Sequence, residues 1–77
     1  MEIENRVIEI LKELSSKPDI DLTQILMEDL NLDSLLLVSL LIQIEDEFGL
    51  ELEESDMNPF DLVTVEDVVN LVNKYTG

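Results

Sequence analysis

The run from Leu30 to Phe48, L-N-L-D-S-L-L-L-V-S-L-L-I-Q-I-E-D-E-F, leaves this chain little choice of fold. Asp33 suits an N-cap, because its short carboxylate can accept from the first free backbone N–H groups of a helix and its charge favours the positive end of the helix dipole. A helix is therefore predicted from Ser34. At about 100° per residue, Leu37, Leu40, Leu41, Ile44 and Phe48 share one arc, the spacing of a core-facing stripe. Leu35, Val38 and Ile42 form a second stripe on roughly the opposite side, with Leu36 nearby. A helix that is apolar on both sides is either fully buried or shows its surplus to something else. Here the surplus begins beside Ser34.

The flanking segments supply what this helix packs against. Ile3, Val7, Ile10, Leu11 and Leu14 recur at helical spacing and predict an amphipathic helix from Glu2 to Ser15, stopped by Ser16-Lys17-Pro18. From Asp19 to Asn31 the pattern loosens. Ile20, Leu22, Ile25, Leu26 and Leu30 are too many apolar residues for a solvated loop, so a long connection laid across the core is expected, with one helical turn near Thr23 to Met27. Gly49 suits the left-handed position that closes the long helix, and Leu50 and Leu52 point inward from the loop that follows. Ser55 to Phe60 predicts a short helical or irregular piece capped by Ser55 and limited by Pro59. Thr64-Val65-Glu66-Asp67 resembles a capping box with Asp in the Glu position, opening a last helix through Val65, Val68, Val69, Val72 and Tyr75 before Gly77 ends the chain. No strand alternation or internal repeat stands out. The expected fold is all-α: a small four-helix bundle with three main helices, a short third helix and a long first loop, residues 1–77 forming one domain.

Composition bears mainly on function. The 77 residues include no Cys and no His, so a thiolate nucleophile and the usual neutral-pH base are both missing, and a reducing, cytoplasmic setting is expected. A serine nucleophile needs an oriented base that nothing near Ser34 supplies. Nineteen Asp and Glu against four Lys and Arg give a net charge of −15, which argues against nucleic acid and favours basic protein surfaces. No run has the alternating ligands of a calcium loop, so no metal site is expected. No segment is long and uncharged enough to span a membrane, and Met1-Glu2-Ile3-Glu4 lacks the start of a secretory signal. Seven acidic residues lie between Glu45 and Asp56 with no basic one; the plainer reading of that stretch is a solvated helix end and loop. The chain is thus expected to be a monomer that is bound or modified, and not an enzyme.

Ser34 is where something could be attached. A phosphate on its Oγ would lie near unpaired N–H groups and the positive end of the dipole. The plainer alternative is that Ser34 only helps to start the helix, and helix geometry alone leaves both open.

Three pieces together change the reading: Asp33-Ser34-Leu35 opening a long second helix, Glu45-Asp46-Glu47-Phe48-Gly49-Leu50 ending it, and the later Thr64-Val65-Glu66-Asp67-Val68. With Glu28-Asp29-Leu30 just before the serine, the whole chain closely resembles an acyl carrier protein. The resemblance implies that Ser34, flanked by Asp33 and Leu35, carries a 4′-phosphopantetheine arm donated from coenzyme A by a phosphopantetheinyl transferase using magnesium. The arm's thiol would hold an acyl group as a thioester, which accounts for the missing Cys and His. The resemblance also implies a docking surface for partner enzymes, the loading ligases or acyltransferases and synthases, over Leu36, Val38, Ser39, Ile42, Glu45, Asp46, Asp56 and Met57. Typical fatty-acid carriers have an acidic residue just after the Asp-Ser-Leu triplet and another three residues later, where this chain has Leu36 and Ser39. That departure points to a dedicated carrier for a particular fatty-acid, polyketide or related pathway, docking through apolar burial. The competing readings are an aminoacyl carrier of the D-alanyl type and a non-covalent acidic adaptor.

Overall fold

The computed structural model describes residues 2–76; Met1 and Gly77, the two ends of the expected unit, lie outside them. Three α-helices form the frame: α1 over Glu2–Ser15, α2 over Ser34–Phe48 and α3 over Val65–Thr76. Helix α1 packs against both of the others. It buries Val7, Ile10 and Leu11, the inward face that its periodicity predicts. Ser16 ends it in the left-handed region with φ 59°, its N–H donating to the Lys12 carbonyl at 2.9 Å.

The connection from 16 to 33 is long but tied down. Ile20, Leu26, Leu30 and Leu32 are all buried, so it forms part of the core as expected. The helical turn lies further along than Thr23–Met27. It starts at Ile25, whose carbonyl receives the Asp29 N–H at 2.7 Å while the Asp29 carboxylate accepts the Ile25 N–H, also at 2.7 Å. The reason is that the preceding carbonyls are used elsewhere. Leu22 C=O accepts the Glu66 N–H at 3.0 Å and Gln24 C=O accepts the Val65 N–H at 3.1 Å, which satisfies donors that the start of α3 would otherwise leave unpaired. Leu26 N–H donates to Val63 C=O at 2.9 Å, and Ile25 and Thr64 form an isolated antiparallel bridge.

Helix α2 buries Leu37, Leu40, Leu41 and Ile44, while Phe48 at its end is only half-buried. Gly49 closes it at φ 62°, ψ 39°, in the conformation that an L side chain resists. Leu52 is buried and Leu50 half-buried, as their alternation with glutamates predicts. The short third piece is two separate 3-10 turns, Glu54–Asp56 and Pro59–Asp61, the second packed against α2. Ser55 caps neither. It sits exposed inside the first turn, whose N-cap, Glu53, makes no side-chain cap bond. The cap of the second turn is Asn58, accepting the Phe60 N–H at 3.0 Å. Pro59 decides this: it disfavours helix at Asn58 and provides a first turn residue that needs no partner for its nitrogen.

Helix α3 opens with the expected box. Asp67 Oδ2 accepts the Thr64 N–H at 3.0 Å and the Asp67 N–H donates to Thr64 Oγ1 at 3.3 Å. Val65, Val68, Val69 and Val72 face inward, and Tyr75 is half-buried. None of these helices is long and apolar enough to cross a membrane.

Candidate functional site: the mouth of helix α2

Asp33 has extended backbone, φ −95°, ψ 179°, and its Oδ1 accepts the Leu36 N–H at 2.9 Å. Its carbonyl accepts the Leu37 N–H at 3.0 Å. The Ser34 and Leu35 N–H groups are left at the open end of the helix, where no earlier carbonyl can reach them. Ser34 is the first residue of the helix and half-exposed, and none of the side-chain hydrogen bonds among the described residues engages its hydroxyl. No acidic side chain lies in the first turn. A hydroxyl beside two unpaired donors and the positive end of a dipole is suited to carrying a phosphodiester.

Apolar surface runs away from this hydroxyl. Leu35 is 78% exposed, Ile42 55% and Val38 37%, and Leu36 and Ser39 are half-buried beside them. These residues cover about 12 Å of helix, eight residues at about 1.5 Å each. The second stripe is therefore a surface, and none of the described residues covers it.

The acidic members of the expected docking set divide. Asp46 is exposed. Glu45 is engaged in folding: its Oε2 accepts the Leu52 N–H at 2.9 Å and its carbonyl accepts the Gly49 and Leu50 N–H groups. Asp56 is held by α3, with Lys74 Nζ at 3.0 and 3.2 Å from its two oxygens and the Tyr75 hydroxyl donating to Oδ2. Those bonds, Tyr75 first and Lys74 second, hold the Asp56 carboxyl below the usual carboxylate range, while Asp56 in turn raises the Tyr75 phenol and the Lys74 ammonium. Met57 is half-buried next to it. The pattern of α3 marks Tyr75 only as an inward residue and gives Lys74 no role. A tyrosine next to a lone lysine, opposite a strongly acidic segment, was the available signal. Among the described residues, no group of three or more His, Cys, Asp and Glu side chains could hold a metal ion.

Comparison with known proteins gives the family of the chain. Residues 3–72 match the family model described as "Phosphopantetheine attachment site". The chain is similar to the acyl carrier protein of Borreliella burgdorferi (strain ZS7), 37% identical over 78 residues, covering 99% of this chain and 95% of that one. It is also similar to the acyl carrier protein of Thermobifida fusca (strain YX), 33% identical over 75 residues, covering 95% and 92%. A third, from Thermotoga maritima, is 35% identical over 69 residues and 83% of each chain. The match over most of the chain defines a phosphopantetheine-bearing carrier class. The chain belongs to the acyl carrier protein family, and its cofactor is covalent 4′-phosphopantetheine. Such carriers work with phosphopantetheinyl transferases and synthase enzymes.

Proposed function

We propose that Ser34 is the attachment point of the phosphopantetheine arm and that the chain carries acyl intermediates for a dedicated biosynthetic pathway. What carries this reading is the Ser34 hydroxyl at the first position of α2, free of side-chain bonds, with the Ser34 and Leu35 N–H groups unpaired beside it. When bound, the arm supplies a terminal thiol that holds the acyl group as a thioester. Asp33 fixes the helix start, and so the direction in which the Ser34 Cβ–Oγ bond leaves the protein. The two N–H groups then stabilise the phosphodiester charge, as a helix N-terminus does for other anions.

Leu35, Leu36, Val38 and Ile42 form the apolar centre of the docking face in this reading, with Asp46 at its far end. Leu36 and Ser39 leave the first two turns of that face without a carboxylate. Recognition near the arm then depends on apolar burial, and the chain's net charge of −15 steers basic partners in from a distance. That combination suits a chosen partner better than a general fatty-acid carrier.

Treating the purified chain with coenzyme A, magnesium and a broad-specificity transferase should add one phosphopantetheine, and Ser34→Ala should take up none. Addition that persists in Ser34→Ala contradicts the assignment. The mass of the loaded thioester, caught on protein purified from its source, separates an acyl cargo from an aminoacyl one.

A further inference from the structure

Residues 53–61 cross from α3 to α2 without a buried residue of their own. Neither 3-10 turn buries a side chain, and between Leu52 and Leu62 only Asp56, Met57 and Pro59 are half-covered. Apolar burial thus anchors the two flanks, Met57 packs partly against the core and the second turn lies against α2, while the first turn, Glu54–Asp56, is left to polar contacts.

Those contacts converge on one side chain. The Tyr75 hydroxyl of α3 accepts the Glu53 N–H at 2.9 Å and donates to Asp56 Oδ2, gripping the first turn at both ends. Lys74 closes the node from the neighbouring position, its Nζ 3.0 Å from Asp56 and 5.9 Å from the Tyr75 ring centroid. Glu53 approaches from the segment itself, and Asp61 and Asp67 line a groove with Asp56 and Lys74. Lys74 is one of four basic residues in the chain, so this surface owes its local charge balance to it.

We propose that Tyr75 is a positioning residue of the docking surface: its hydroxyl fixes the first 3-10 turn on α3, holding Met57 and the second turn in the form a partner enzyme meets. This rests on the docking reading extended to Asp56 and Met57, the members of the expected docking set that lie on this segment. A segment ordered before encounter spares the partner the entropy of ordering it, an advantage that appears in KM. The Ser34 hydroxyl is set by Asp33 within α2, so kcat for arm transfer is independent of the node.

Tyr75→Phe keeps the ring and removes the hydroxyl. At saturating coenzyme A, a phosphopantetheinyl transferase should show KM for this variant raised about tenfold with kcat unchanged, the size of one charge-assisted hydrogen bond. Amide exchange at Glu53 should quicken by a similar factor while Leu36, under the Asp33 cap, exchanges as before. Lys74→Met, which keeps the Tyr75–Glu53 bond, should raise KM less. Ile10→Val, a change at a buried position in α1, should lower the melting temperature with KM unmoved, separating positioning from general stability. Unchanged exchange at Glu53 overturns the positioning role itself. Faster exchange with wild-type KM instead overturns the docking reading for this segment, and the proposal with it. A loss of kcat at constant KM also contradicts it.

Discussion

The Asp33 carboxylate bonds the Leu36 N–H at 2.9 Å, and this bond settles which residue begins α2. With the cap at Asp33, Ser34 is the first helical residue and its hydroxyl stands at the open end. Replacing Asp33 by Ala should cost about 1 kcal/mol of stability, read by urea denaturation, whereas Asp33→Asn should retain most of it because Asn caps nearly as well.

Gly49 tests the other end of the same helix. Its φ of 62° is left-handed, yet a Cβ built there meets nothing within 4 Å, so the backbone alone is under strain on substitution. Gly49→Ala should destabilise by about 1 kcal/mol, with the urea slope unchanged. A neutral result would mean that the helix end relaxes into another conformation.

The two stripes of α2 predict opposite behaviour. Leu40 is fully buried, and Leu40→Ala should cost about 2–5 kcal/mol through lost burial and the cavity left behind. Val38 is 37% exposed on the uncovered face, and Val38→Glu should change stability by no more than about 0.5 kcal/mol. The same Val38→Glu should weaken transfer of an acyl group by a partner enzyme. Equal stability losses for both variants would contradict the division of the helix into core and docking faces.

The Asp56 node should leave a pH signature. Its carboxyl titrates below the ordinary range because Tyr75 and then Lys74 bond the ionised form. A depressed folded pKa contributes stability above the unfolded value and loses it as pH falls through the folded one. Lys74 and Tyr75 titrate above their ordinary values, both chiefly through the bond to Asp56. Their contribution is complete below the unfolded values and is lost as pH rises through the folded ones. The melting-temperature difference between the wild type and Asp56→Asn should therefore be flat through neutral pH and shrink at both the acid and the alkaline ends. A difference independent of pH down to strong acid would show that the carboxylate charge plays no part.

Local chemistry was legible before the structure, and distant pairing was not. The spans of α1 and α2, the Asp33 cap, the Gly49 stop and the Thr64–Asp67 box each depend on residues within one or two turns of each other, and each is found where the spacing predicts. The helical turn begins at Ile25 and not at Thr23 because Leu22 and Gln24 give their carbonyls to the start of α3, about forty residues away in the chain. Ser55 has the right chemistry for a cap but lies inside the first turn, which begins one residue earlier behind Glu53, while the second turn is capped by Asn58, whose backbone Pro59 holds extended. Tyr75 reads as an inward residue on the helical wheel, and its bonds to Glu53 and Asp56 depend on how the 3-10 turns fold back. At the proposed site, the place of Ser34 as the first residue of α2 was legible from the Asp33 cap, whereas the engagement of Glu45 and Asp56 in folding was not.

The central claim is that one hydroxyl, at the mouth of α2, receives the arm. Fragmentation mass spectrometry of the wild-type chain after treatment with coenzyme A and a transferase tests it directly, because Ser15, Ser16, Ser39 and Ser55 are all present as competitors. The account predicts a single phosphopantetheine on the fragment ion series that brackets Ser34. Modification at any other serine, or none under conditions that fully load a known carrier, would contradict it.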